Sequence, residues 1–75
     1  MTTSERIRNG LKWAINKTGI TSRQASLKAG FNENQLHRYL TERNDILVGN
    51  LEKICVDGFG LTFNEIYELG GKTEG

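Results

Sequence analysis

Apolar positions recur at helical spacing along most of the chain, and the interruptions fall on polar or glycine residues. Ile7, Leu11, Ala14 and Ile15 share one face of a stretch from about Thr3 to Lys17. Ala25 and Ala29 do so from about Ser22 to Ala29, and Leu36, Tyr39 and Leu40 from about Glu33 to Leu40. A fourth stretch, about Val48 to Asp57, carries Leu51, Ile54 and Cys55 on one side, and a short fifth spans about Phe63 to Leu69. Capping-box spacings mark four of the starts: Thr2 with Glu5, Thr21 with Gln24, Asn32 with Gln35, and Thr62 with Glu65. The fourth helix has no good cap residue, so its start is loosely defined. Gly19 and Gly30 suit helix ends, and Gly58 and Gly60 interrupt the fourth stretch. The pattern predicts an all-α protein, a compact bundle of about five short helices over residues 1–69. Residues 70–75 read as a flexible polar tail. Trp13 lies off the main face of the first helix, which suits the edge of the core or a subunit contact.

With 75 residues the chain is one small domain with a modest core. No apolar run approaches the roughly 20 residues that a membrane span needs. The N-terminus lacks the basic-then-apolar order of a signal peptide, so the expected location is cytoplasmic. The single cysteine, Cys55, sits in an apolar helical pattern and reads as a small core residue. The only histidine, His37, is elsewhere on a polar surface, and no four-ligand cluster suggests zinc. There are no paired carboxylates, no nucleophile–base pair and no phosphate-cradling glycine loop. The reading is a non-enzyme with no metal and no cofactor.

The net charge of +1 conceals a strong asymmetry. Residues 1–44 carry eight Lys/Arg against three acids, a balance of +5, whereas residues 45–75 carry two against six, a balance of −4. Such a field can orient the molecule on an anionic surface.

The most informative stretch is Thr21 to Thr41. Gly30 supplies the positive φ of a tight turn between two short helices, Phe31 plugs the core, and Asn32 caps the next helix. Small side chains at Ala25 and Ser26 allow close helix crossing, and Leu36 and Tyr39 lie where the second helix must bury its inner face. This is helix-turn-helix geometry, in which the second helix enters the major groove of DNA.

Here the chain resembles the lambda-repressor-like family, the Cro/repressor DNA-binding domains of phages and bacteria. The resemblance rests on Ala25-Ser26-Leu27-Lys28-Ala29-Gly30-Phe31 and Leu36-His37-Arg38-Tyr39-Leu40. It extends to Ile7, Leu11, Ile15, Gly19 and Thr21, to Leu51-Glu52-Lys53-Ile54-Cys55, and to Leu61-Thr62-Phe63-Asn64-Glu65-Ile66, covering about residues 5–69. Three departures stand out. Ser26 replaces the family's usual alanine, with a hydroxyl able to bond back to a helix carbonyl. Val56-Asp57-Gly58-Phe59-Gly60 is one residue longer than the usual link. Glu42-Arg43-Asn44-Asp45 replaces the usual glycine after the recognition helix, with Asn44 in a position to adopt the left-handed conformation.

The resemblance implies a fold with the helix-turn-helix in helices 2 and 3. It also implies that Glu33, Asn34, His37 and Arg38 reach base edges from the outer face of helix 3. Arginine pairs with guanine, asparagine with adenine, and glutamate accepts from cytosine. Phosphate contacts fall to Thr21, Ser22, Arg23, Gln24, Asn32, Thr41, Arg43 and Asn44. The implied partner is a pseudo-palindromic double-stranded operator, bound by a homodimer with half-sites roughly 10 base pairs apart. The dimer contact is expected in helix 5, the link before it, or the tail. The leading reading is a transcriptional repressor acting by operator occupancy, cytoplasmic and nucleoid-associated. The rival is an antitoxin or bridging-type protein-interaction module on the same fold, with a protein partner at the acidic C-terminal third. An exposed apolar patch around Trp13, Phe59 and Phe63 would favour the rival.

Overall fold

The computed structural model describes residues 2–42 and 46–72, and all its regular elements are helical. They are α1 (Thr3–Thr18), α2 (Ser22–Lys28), α3 (Gln35–Thr41), α4 (Val48–Lys53) and α5 (Phe63–Lys72), with a π-helical turn, Ile54–Phe59, continuing α4. No helix among the described residues is long and apolar enough to cross a membrane.

The caps follow the chemistry of the sequence. At α2 the Thr21 hydroxyl accepts from the Gln24 amide at 3.1 Å, and the Gln24 side chain accepts from the Thr21 amide at 3.0 Å. Thr62 and Glu65 form the same reciprocal pair at the start of α5. At α1 the Thr2 hydroxyl accepts from the Glu5 amide.

The apolar faces converge on one core. Leu11, Leu36, Ile54, Cys55 and Ile66 are fully buried, with Ile7, Ala14, Ala25, Ala29, Tyr39, Leu51 and Phe59 around them. Burial, and then the nearby Glu52 carboxylate, push the Cys55 thiol from 9.0 up to about 11. Between those values the unfolded chain has released the proton while the folded chain retains it. Stability therefore falls as pH rises across that window, by at most about 1.4 kcal/mol per pH unit. Urea melts at several pH values, compared with Cys55→Ala, isolate this contribution from other titrations. Wild type should lose stability more steeply than the variant between pH 9 and 11. Parallel slopes would show that the thiol is not buried in this way.

Two segments in the C-terminal third differ from their sequence-based expectation. The fourth stretch does not stop at Asp57 but continues as the π-helical turn to Phe59, closed by Gly60 at φ 71°. A π turn widens a helix by one residue per turn, so this geometry takes up an extra residue without breaking the element. Gly58 lies within the turn because it packs against α2: a Cβ there would sit 2.9 Å from that of Ala25. The expected tail also differs. Residues 70–72 belong to α5 and Gly70 is buried. α1 and α5 cross with their backbones in close approach. A methyl on Gly10 would overlap the Ile66 carbonyl, and one on Gly70 would overlap the Arg6 carbonyl. Residues 73–75 lie outside the described part of the chain.

Candidate nucleic-acid interface

α2 ends in a Schellman turn. The Gly30 amide donates to Leu27 O at 3.0 Å and the Phe31 amide to Ser26 O at 2.9 Å, with Gly30 at φ 84°. The turn places half-buried Phe31 against the core, as its apolar character requires. Asn32 Oδ1 then accepts from the Asn34 amide at 2.9 Å. That local turn delays the helix, so α3 starts at Gln35 with Asn34 as its cap residue, rather than at Glu33 with Asn32 as cap.

Ser26 links the two helices. Its hydroxyl donates to Ser22 O at 2.8 Å, the back-bond that its position in a helix suggests. It also accepts from the Leu36 amide at 3.0 Å, and so satisfies a first-turn donor of α3 in a buried setting. Ser26→Ala leaves that donor unpaired and should cost about 1–3 kcal/mol, measured from denaturant midpoints. An unchanged midpoint would mean that the Leu36 amide finds another acceptor.

α3 is held from a second side by Arg8, a buried arginine on α1. Its Nε donates to Tyr39 O at 3.0 Å, its guanidinium lies 4.4 Å from the Tyr39 ring centroid, and Nη1 donates to Ser4 Oγ. Sequence periodicity carries no sign of this tie, because an arginine on an apolar face reads as an interruption.

With Leu36, Tyr39 and Leu40 buried, the opposite side of α3 is open. At about 100° per residue, Asn34, Arg38 and Thr41 fall within about 60° of one another, with His37 beside them. All four are exposed. Thr41, expected at a phosphate, shares this exposed stripe with residues expected at base edges. Its hydroxyl donates to His37 O at 2.8 Å.

Glu33 is set differently. It precedes α3, and its carboxylate meets Arg23 Nε at 2.8 Å, with both side chains well exposed. A residue expected at a base edge and one expected at a phosphate are therefore joined across the turn. Thr21, Arg23 and Gln24 are exposed at the start of α2, Ser22 is half-buried, and Asn32 is exposed. Arg43 and Asn44 lie outside the described residues. The apolar patch expected for a protein-binding module is not assembled: Phe59 is buried, Phe63 is half-buried, and of the three only Trp13 is exposed.

No protein-family model matches this chain, and no curated protein or solved structure matches it either.

Proposed function

We propose that the chain is a sequence-specific double-stranded DNA-binding regulator, a repressor of the lambda-repressor-like helix-turn-helix type that works by occupying an operator in the cytoplasm. The supporting observation is the division of α3. One face is anchored by Leu36, Tyr39 and Leu40, by the Ser26 hydroxyl and by Arg8. The other presents Asn34, His37, Arg38 and Thr41 to solvent. A short, firmly seated helix with amide, imidazole and guanidinium groups outward suits the donor and acceptor pattern of the major groove. Arg38 is the candidate reader of guanine and Asn34 of adenine. Glu33, held by Arg23, faces cytosine at the edge of the footprint. Thr21, Ser22, Arg23, Gln24, Asn32, Thr41, Arg43 and Asn44 position the molecule on phosphates, with the basic first half of the chain supplying the long-range attraction.

Selection of bound duplexes from a random pool, followed by titration at several salt concentrations, tests this reading. The expected result is a pseudo-palindromic site with half-site centres roughly 10 base pairs apart, and affinity falling steeply with salt. Equal affinity for every duplex, or a flat salt response, would contradict it.

A further inference from the structure

The second half of α1 and the C-terminal half of α5 border a surface groove of about 390 Å³, lined by Trp13, Asn16, Lys17, Leu69 and Lys72. Trp13 and Lys17 are four residues apart on α1, and Leu69 and Lys72 three apart on α5, so each pair shares a face of its helix. Leu69 is buried and contributes only floor, whereas Trp13 is 43% exposed and offers open ring surface. No acid lines this groove. An adjoining one of about 300 Å³ shares both lysines and adds Glu65 and Glu68. Both of those acids are engaged on their own helix or beside it: Glu65 accepts from the Thr62 amide at 3.2 Å, and Glu68 leans to Arg6 at 3.9 Å. Among the described residues, the Trp13 indole N–H, the Asn16 carboxamide and the two ammonium groups have no hydrogen-bond or ion-pair partner. Arg6, Arg8 and Lys53 each lie over a ring elsewhere, and no cation covers Trp13.

We propose that this groove binds a small planar aromatic carboxylate. The ring of the ligand stacks on the Trp13 indole over Leu69, its carboxylate lies between the Lys17 and Lys72 ammonium groups, and the Asn16 carboxamide donates to it. Each feature of the groove sets one property of the ligand. The open indole selects a flat apolar body, because offset stacking of two rings is favourable beyond the area it buries. Two unpaired ammonium groups with no acid between them select a single compact anion, through charge-assisted hydrogen bonds. The volume lies at the small end of the roughly 300–1,000 Å³ typical of ligand pockets, which admits one or two fused rings. A nucleic-acid backbone continuing along α5 would run onto Glu65 and Glu68, whereas a compact anion stays clear of them. The helix dipoles account for a lysine in the last turn of each helix, but not for a large ring left open beside both. The site goes beyond the DNA-binding reading and uses no residue of α2 or α3.

Titration of the full chain with 2-naphthoate tests it, followed by calorimetry and by the indole N–H resonance of Trp13, the only tryptophan. Acetate and the neutral 2-naphthamide serve as the anion without a ring and the ring without a charge. Wild type should bind 2-naphthoate at one site with a Kd of roughly 100 μM and shift the indole resonance. Acetate and 2-naphthamide should each bind at least about 10-fold more weakly. K17Q/K72Q, which keeps two polar side chains but removes both charges, should lose about 10-fold or more. K12Q/K28Q removes two exposed lysines outside the groove and should bind as wild type does. Circular dichroism checks that both variants are folded. No saturation of wild type by about 5 mM, equal binding of the acid and the amide or of the acid and acetate, or equal loss in the two variants would each overturn the proposal. An affinity that falls as protein concentration rises would place a second copy on the groove, and displacement by duplex DNA would place DNA there; either result also overturns it. Because the naphthoate titration itself contains no duplex, its failure leaves DNA recognition untouched.

Discussion

Leu36→Ala should remove about 2–5 kcal/mol of stability. Leu36 is fully buried at the centre of α3, among the largest completely enclosed side chains of the core. Truncation loses its transfer free energy and leaves a cavity that the short helix cannot easily close, because the Ser26 hydroxyl fixes its first turn and Arg8 holds Tyr39. A domain of this size has only about 5–15 kcal/mol in total, near the lower end of that range. The variant should therefore melt far below the wild type or be unfolded at 37 °C, seen by circular dichroism. An unchanged melting temperature would mean that the inward face of α3 is misassigned, and the outward face with it.

Gly10→Ala should be nearly as damaging, although alanine is the better helix former by about 1 kcal/mol. The added methyl would overlap the backbone carbonyl of Ile66, which cannot swing aside as a side chain can. α1 and α5 would have to separate, disturbing Ile66 and the Arg6 Nε bond to Tyr67 O at 2.8 Å. Overpacking of this kind costs about 1–3 kcal/mol net. Thermal melts of Gly10→Ala and of Gly49→Ala make the comparison, since a methyl on Gly49 meets nothing within 4 Å. The first should fall and the second should hold or rise. A stabilised Gly10→Ala would show that the two helices do not cross so closely.

The fold is legible where sidedness carries it. Ile7, Leu11 and Ala14, then Leu36, Tyr39 and Leu40, are readable as inward faces because burial follows the 3.6-residue period, and all are buried. The boundaries set by side-chain caps at Thr21 and Thr62 are readable for the same local reason. The start of α3 is not, because Asn32 offers its carboxamide both to a helix cap and to a two-residue turn, and only the packed structure decides between them. Gly70 reads as part of a frayed tail because glycine is a poor helix former in isolation. Its role as a contact surface depends on Arg6, a residue 64 positions earlier. The exposure of Asn34, His37 and Arg38 follows from the periodicity of α3. The Arg23–Glu33 pair and the second role of Ser26 involve two elements at once, and no single-helix pattern contains them.

The central claim is that the exposed stripe of α3 reads base pairs. It is tested most directly with Arg38→Ala, titrated against the selected duplex and a scrambled one at several salt concentrations. The variant should lose about 1–3 kcal/mol on the selected duplex, with its preference relaxed at one base pair, and bind the scrambled duplex almost as wild type does. Equal loss on both duplexes, with a salt slope lowered by about one unit, would make Arg38 a phosphate contact and contradict the assignment of this face.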